Sequence, residues 1–208
     1  MSGDIYLNQL KSYANQLSGN DYVLFKSKFV SIVNILKHEM NVAEAVKSGS
    51  MAREVSLDNI SDMDILYTYR TTNETEAEIK SKAYSILNMR FSNADVVEGS
   101  RAVKITFSEN RKYDVKYKPY DAYLQERNEI KITKESTNDI KNIIKLIKNW
   151  TLSQKKEIES YKVEKVVLYH QIHNRDKSFI SILDSSLRFI REDPTVVHNF
   201  FKQKMGIL

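Results

Sequence analysis

Hydrophobic residues recur with helical spacing at both ends of the chain. The first stripe runs through Leu7, Leu10, Ala14 and Leu17. Because apolar residues three or four positions apart share one face of an α-helix, the pattern predicts helices with core-facing stripes near both termini. The other stripes are Tyr22, Phe25, Phe29, Ile32, Val33 and Leu36; Ile140, Ile143, Ile144 and Ile147; Val163, Val166 and Val167; and Ile180, Leu183, Leu187 and Ile190.

The middle of the chain has a different pattern. The runs "DILYTY", "AVKITF" and "KYDVKY" are rich in β-branched and aromatic residues, and a helical pattern around Ile79, Ala83 and Leu87 separates the first two. These features predict an α+β fold in which flanking helices pack on a small mixed or mostly antiparallel sheet. We expect one unit over residues 1–135, including the N-terminal helices, and a C-terminal helical lobe over residues 136–208.

The composition limits the kinds of metal site and partner that the chain can have. The chain has no cysteine, which excludes disulfides and thiolate zinc sites, so any metal must be held by oxygen or imidazole ligands. No apolar stretch is long enough to span a membrane, and "MSGDIYLNQLK" lacks the apolar core of a signal peptide, so we expect a soluble, cytoplasmic protein without a membrane partner. The net charge of +5 favours polyanionic partners such as RNA, DNA or nucleotides, although solubility alone gives the same charge.

The most informative acids lie at the start of the first predicted strand. Asp62 and Asp64 alternate with Met63, so in a strand their side chains point to the same face, roughly 7 Å apart at Cα. Because two carboxylates on one face repel, we expect a cation between them. The alternative is a surface loop whose acids cap a turn; an EF-hand is excluded because its glycine and distal glutamate are missing.

A third acid, Asp114, lies in the middle of the predicted strand "KYDVKY". Three carboxylates on neighbouring strands are typical of a site that binds two Mg²⁺ ions, with Mn²⁺ as an alternative, for in-line phosphoryl displacement. Upstream, the backbone N–H groups of a tight turn at Gly49-Ser50 can bind phosphate oxygens. Gly-Ser dipeptides are common in ordinary turns. This one supports a phosphate-binding site because Ser50 lies twelve positions before Asp62.

The segments "GSMAR", "SDMDI" and "YDV" together resemble the polymerase-beta-like nucleotidyltransferase superfamily. The later segment "IIKLIKNWTLSQKKEIESYKVEKVV" is similar to the helical module of oligoadenylate synthases, cyclic GMP-AMP synthases and bacterial cyclic-oligonucleotide synthases. The resemblance covers about residues 42 to 168.

The resemblance implies a set of site residues. Metal ligands and catalytic residues would be Asp62, Asp64 and Asp114. Nucleotide-binding residues would be Gly49, Ser50, Arg53, Lys148, Ser160 and Tyr161, with Lys148 and Ser160 at phosphates and Tyr161 stacked on a base.

Three of these assignments have structural alternatives. Lys148 continues a stripe with Lys141 and Lys145 that is also typical of a solvated helix face. Ser160 also suits a helix N-cap, and Tyr161 a core position.

The sequence also departs from the family pattern. Glu54 and Val55 stand where the family usually has glycine and threonine, and Glu54 adds an acid near the phosphate loop.

The implied reaction is transfer of a nucleotide from an NTP without a template. The leading product is a linear or cyclic oligonucleotide signal. Alternatives are addition to an RNA 3′ end, toxin-like modification of tRNA or a protein, and an inactive nucleotide- or RNA-binding module.

A basic and aromatic segment spans residues 111–123. Its composition is compatible either with binding an RNA or oligonucleotide or with a strand edge protected by lysines. The residues are Arg111, Lys112, Lys116, Lys118, Tyr113, Tyr117, Tyr120 and Tyr123.

Overall fold

The structure is a computed structural model that describes residues 3–17, 21–57, 62–108, 111–156 and 158–207, with the backbone alone described for residues 21–24. The side chain of Tyr22, in the second predicted stripe, and Ser61, in "SDMDI", lie outside the described residues.

Within this part of the chain there are five strands and nine helices. The strands are β1 (Glu44–Lys47), β2 (Met63–Thr68), β3 (Asp95–Glu98), β4 (Val103–Thr106) and β5 (Lys112–Tyr117). The helices are α1 (Gly3–Gln16), α2 (Asp21–Glu39), α3 (Gly49–Ala52), α4 (Glu76–Arg90), α5 (Tyr120–Glu135), α6 (Asn138–Ser153), α7 (Ser160–His173), α8 (Phe179–Phe189) and α9 (Pro194–Lys204).

The chain divides into two compact units. One, the helical unit, comprises Met1–Gly19, Glu54–Asn59 and Glu135–Leu208. The other, the sheet unit, comprises Asn20–Arg53 and Ile60–Lys134. Helix α1 packs within the helical unit.

The sheet unit is built on a mixed five-stranded sheet in the order β1-β2-β5-β4-β3. The β2–β5 pair is parallel, whereas β1–β2, β4–β5 and β3–β4 are antiparallel. Side chains of the two central strands form the core against α2 and α4, where Met63, Ile65 and Tyr113 are fully buried. The hydroxyl of Tyr113 donates to the carbonyl of Phe25 at 3.1 Å, so this buried polar group is satisfied.

Several helices begin at residues that cap their first turn. Thr75 and Glu78 form a capping box at the start of α4, in which each side chain binds the other residue's backbone N–H. Thr137 accepts from the N–H of Ile140 at α6, and Ser178 accepts from that of Ser181 at α8. These local signals fix where the helices start.

The helical unit buries most of the predicted stripes of α6, α7 and α8 together with residues of α1 and α9, whereas Val166 is half-buried and outside this core. Polar contacts also attach α1 to its neighbours. Asn149 donates to the Tyr13 hydroxyl at 2.9 Å, and the Tyr6 hydroxyl lies 2.5 Å from Nδ1 of His198, whose Nε2 lies 2.8 Å from Asp184. The first helix is therefore an integral part of this core.

The predicted fold class is confirmed: the chain combines a small mixed sheet with flanking helices. The sequence analysis did not identify the helices α3, α5 and α9 or the strands β1 and β3. Both strands are only four residues long and lie at the sheet edges, where alternation is short. Within the described residues, no helix is both long and apolar enough to cross a bilayer.

A matched pair of substitutions on α4 tests the core of the sheet unit. Leu87 is fully buried, whereas Met89 on the same helix is 67% exposed. We expect Leu87→Ala to lower the free energy of unfolding by about 2–5 kcal/mol, because it leaves a cavity. Met89→Ala should change it by less than about 0.5 kcal/mol. Urea unfolding measures both, and equal losses would contradict the packing described for α4.

Candidate active site

Two of the three predicted acids are brought together by the parallel pairing of β2 with β5. In that register Asp64 lies directly opposite Asp114. The ammonium of Lys116 contacts both carboxylates, at 2.5 Å from Oδ1 of Asp64 and 3.5 Å from Oδ2 of Asp114. Lys116 follows Asp114 by two positions in the same strand, so both side chains lie on one face of the sheet. A lysine of the protein thus lies between Asp64 and Asp114, whereas the sequence analysis expected a cation between Asp62 and Asp64.

Asp62 lies just before β2 and is influenced by the same acids. Partial burial and the charge of Asp114 raise the pKa of Asp62, and Asp64 adds to the effect while Lys112 opposes it. Burial alone would lower the pKa of Lys116, but the attraction of Asp64 and Asp114 outweighs it and the pKa is raised. All three acids thus belong to one electrostatic cluster.

Their arrangement is not that of a ready-made metal site. Among the described residues, no three carboxylate, imidazole or thiolate side chains converge closely enough to hold a metal ion. The donor set nevertheless fits Mg²⁺, which prefers carboxylate oxygens, and two of the carboxylates already converge on one positive charge. A divalent ion there would take over the charge that Lys116 supplies.

Position 49 requires glycine because its backbone lies close to the side chain of Asp64. The backbone N–H of Ser48 donates to the carbonyl of Asp64 at 2.8 Å, which holds the end of β1 beside β2. Gly49 follows with a φ of +63°, and a Cβ built on it would lie 1.9 Å from Oδ2 of Asp64. A side chain at position 49 would therefore displace the carboxylate. Ser50 lies in the first turn of the short helix α3, directly after Gly49.

A second acid supports this turn and was not identified from the sequence. Glu126 on α5 accepts a hydrogen bond from the Ser48 hydroxyl and forms an ion pair with Lys118 at 2.7 Å. Burial would raise the pKa of Glu126, but the bonds from Lys118 and Ser48 and the charge of Arg53 outweigh it and lower the pKa. Arg53 is itself buried at the end of α3. No spacing in the sequence signals a partnership between positions 48 and 126.

In the helical unit, the stripe of lysines on α6 is not solvated. Lys141, Lys145 and Lys148 are all buried, so the interpretation of this stripe as a solvated face is wrong. The ammonium of Lys148 donates to the carbonyl of Val55 at 3.0 Å and lies 3.5 Å from the buried carboxylate of Glu164. As placed, Lys148 is therefore engaged within the protein, and a phosphate contact would require these bonds to rearrange.

Glu54 adopts a backbone conformation that favours glycine. Its φ is +62°, in the left-handed region that costs most residues about 1 kcal/mol or more. This geometry gives a physical reason for glycine at the corresponding position of the family pattern. The Glu54 carboxylate lies 2.7 Å from the ammonium of Lys141, so the additional acid is matched by a cation.

Ser160 and Tyr161 begin α7. Ser160 is the first helical residue, and the N-cap is Glu159, so the N-cap interpretation of Ser160 is wrong. Tyr161 is 47% exposed and is not a core residue. The ammonium groups of Lys162 and Lys165 lie 5.9 and 5.6 Å from its ring centroid.

The basic and aromatic segment at residues 111–123 is only partly exposed. The strand β5 lies between β2 and β4, so it is not a sheet edge. Tyr113 and Tyr123 are buried, Lys116 binds the aspartates, and Lys118 binds Glu126. The strand-edge interpretation is therefore wrong. Binding of RNA or an oligonucleotide stays a prediction for the exposed Lys112 and the half-buried Tyr117 and Tyr120.

Comparison with known proteins shows which solved structures share this fold. No family model and no curated protein matches the sequence. Among solved structures, CdnC from E. coli MS115-1 in complex with HORMA-deltaN is 15% identical, with a TM-score of 0.62, over 80% of this chain and 64% of that one. The Cid1 poly(U) polymerase bound to MgATP is 19% identical, with a TM-score of 0.66, over 83% and 58%. GLD-2 in complex with RNP-8 is 12% identical, with a TM-score of 0.66, over 85% and 64%.

The chain therefore has the fold of the polymerase-beta-like nucleotidyltransferases, and the resemblance inferred from the sequence motifs is confirmed at the level of the fold. It spans less than two thirds of the length of each of these three structures.

Replacing Gly49 tests the close approach to Asp64. Gly206 is a matched control, because its φ of +69° is similar and a Cβ there meets nothing within 4 Å. We expect Gly206→Ala to cost about 1–2 kcal/mol of unfolding free energy from backbone strain, and Gly49→Ala to cost roughly 1–3 kcal/mol more from the clash. Urea unfolding compares them, and equal costs would show that the Asp64 carboxylate does not occupy this space.

Replacing Lys116 tests the shared cation. In metal-free buffer at pH 7, Lys116→Met should lower the free energy of unfolding by about 1–2 kcal/mol, because Asp64 and Asp114 then repel each other without a counter-charge. Adding Mg²⁺ should raise the melting temperature of this variant more than that of the wild type. The control is Lys82→Met, which removes only an exposed ion pair with Glu74. A melting temperature that Mg²⁺ leaves unchanged in both proteins would contradict the fit of this site to a divalent ion.

Proposed function

We propose that this protein is a template-independent nucleotidyltransferase that uses an NTP and Mg²⁺. In the proposed reaction a ribose hydroxyl attacks the α-phosphate of the NTP, the bond to the β-phosphate oxygen breaks, and pyrophosphate leaves. The observation that carries the proposal is the meeting of Asp64 and Asp114, in register on parallel strands, at one cation beside Gly49.

The proposed roles follow the chemistry of the side chains. Asp62, Asp64 and Asp114 would hold Mg²⁺, which when bound neutralises phosphate charge and lowers the pKa of the attacking hydroxyl. Lys116 keeps the two strand acids together in the absence of the ion. Because the protein's task in such a reaction is mainly positioning and electrostatics, the site needs no covalent nucleophile.

The nucleotide itself would be bound by residues of two kinds. Gly49, Ser50 and Arg53 are the proposed triphosphate contacts, because the backbone N–H groups of a tight turn and an arginine can bind phosphate oxygens. Ser160 would contact a phosphate, and the half-exposed ring of Tyr161 is suited to stacking on a base. Lys148, engaged by Val55 and Glu164, is assigned instead to positioning the chain at residue 55.

The proposed product is a linear or cyclic oligonucleotide signal. The resemblance to oligonucleotide synthases supports it, and CdnC, with which the chain shares its fold, has also been solved with ATP. A second candidate is nucleotide addition to an RNA 3′ end, which the likeness to the Cid1 poly(U) polymerase favours. An inactive nucleotide-binding module is a third candidate, favoured by the contact of Lys116 with two of the proposed ligands.

One experiment separates these candidates. The protein is incubated with each labelled NTP and Mg²⁺, with and without an RNA that has a free 3′ end, and the products are resolved. Small phosphatase-resistant species made without RNA support the signal synthase. Extended RNA supports the second candidate, and NTP binding without turnover supports the third.

Substitution of a proposed metal ligand should reduce the rate of nucleotide transfer. Asp64→Asn should reduce the rate of nucleotide transfer on the order of a thousandfold, because it removes a ligand charge needed in the transition state. Asp95→Asn is the control, because Asp95 is an exposed aspartate on β3 of the same sheet. If both variants keep wild-type activity, the proposed catalytic site is wrong.

A further inference from the structure

The solvent-facing side of α7 has an unusual composition. Its inward side carries Val163, Glu164 and Val167, which are buried. The opposite side, which we call the α7 face, contains two tyrosines, two lysines, an isoleucine and a histidine, and no carboxylate. The residues of the α7 face are Tyr161, Lys162, Lys165, Tyr169, Ile172 and His173, all exposed. Exposed helix faces usually mix acidic and basic residues, so this composition calls for an explanation.

The two tyrosines provide separate aromatic surfaces. Tyr161 and Tyr169 are eight residues apart, which places them roughly 12 Å apart along the helix axis. The Tyr169 ring is 51% exposed, and its centroid lies 4.4 Å from that of His173 and 6.3 Å from that of Phe189, the last residue of α8. Phe189 is itself 62% exposed. The second tyrosine is therefore held in place by neighbouring rings while much of its surface is open to solvent.

Positive charge lies between these aromatic surfaces. Lys165 is one turn from each tyrosine, and its ammonium lies 5.6 Å from the Tyr161 ring centroid. Lys162 lies over the same ring at 5.9 Å and pairs with Glu159 at 2.9 Å, at the start of the helix. The central part of the α7 face thus combines a cation with a tyrosine on either side.

We infer that the α7 face, together with Phe189, binds single-stranded nucleic acid, with bases stacked on Tyr161 and Tyr169 and the backbone phosphates near Lys165. Alternating stacking surfaces and cations are the general means by which proteins bind single strands without reading sequence. The inference rests on the proposed function, in which Tyr161 stacks on a base, and extends it to the strand that is elongated. A protein partner is less well matched, because lysine is depleted at the centre of protein interfaces.

Binding of labelled dodecamers tests the inference in the absence of NTP. Fluorescence anisotropy is measured for oligo(A) and oligo(U) RNA and for the matching DNA, with the full chain. Tyr169→Ala and Tyr169→Leu should each weaken binding about tenfold, whereas Tyr169→Phe should stay within about twofold of the wild type, because stacking needs the ring and not merely apolar bulk. Val196→Ala, at an exposed position of α9, should bind like the wild type.

A second variant tests the phosphate contact. Lys165→Gln should weaken binding and reduce the slope of log K against log salt concentration by about 0.7, the value for one phosphate of a single strand. Equal binding of RNA and DNA, or a preference for RNA, both support the inference, since neither changes the stacking contacts. Thermal unfolding of each variant ensures that a loss of binding is not a loss of folding.

Three results would overturn the inference. The first is wild-type binding by Tyr169→Leu, which indicates docking of an apolar group. The second is wild-type binding by every variant, which indicates a strand bound elsewhere. The third is no binding by the wild type at 100 µM, on the order of the upper limit for non-specific binding. Self-association that depends on Tyr169 would then indicate a surface for a second copy.

The inference and the proposed function can fail separately. Asp64→Asn should bind the dodecamers like the wild type although it does not transfer nucleotides. Transfer by a wild-type protein that binds no strand would overturn the inference and leave the proposed function intact. Strand binding that depends on Tyr169, in a protein that never transfers a nucleotide, would overturn the proposed function and leave the inference intact.

Discussion

The parallel pairing of β2 with β5 is the constraint on which the candidate site depends. Backbone hydrogen bonds of the sheet set Asp64 opposite Asp114, although two carboxylates so placed repel each other. Lys116 offsets this repulsion from within the same strand. The position of Asp64 in turn requires that Gly49 lack a side chain. The fold thus holds the carboxylates of Asp64 and Asp114 close together, and Lys116 offsets the repulsion between them.

The sequence predicted the parts of this site that depend on local spacing. The two-residue period of a strand predicted a shared face for Asp62 and Asp64, although Asp62 lies just before β2, and Asp114 stood out as an acid within an apolar strand pattern. The same period places Lys116 on the face of Asp114, so that neighbour was available to the sequence analysis and was overlooked. Glu126 was not available, because its contact with Ser48 joins residues 78 positions apart. Strand order and register, which create such contacts, are not encoded in any short window.

Sequence patterns were least informative about the burial and the partners of charged residues. A helical stripe of lysines is usually solvated, yet Lys141 and Lys148 are buried and bind Glu54 and Glu164 respectively. The pairs join residues 87 and 16 positions apart, so the periodicity of α6 alone cannot distinguish a solvated stripe from one that pairs with acids elsewhere in the chain. The hydrophobic stripes were more reliable, because burying apolar area depends on the helix period itself.

The helical unit is assembled from three separated stretches of the chain, one of them α1. Cleavage after residue 135 would therefore release neither unit intact. The C-terminal fragment would lack the helix that carries Leu10 and Ala14, and the N-terminal fragment would expose those two apolar residues to solvent.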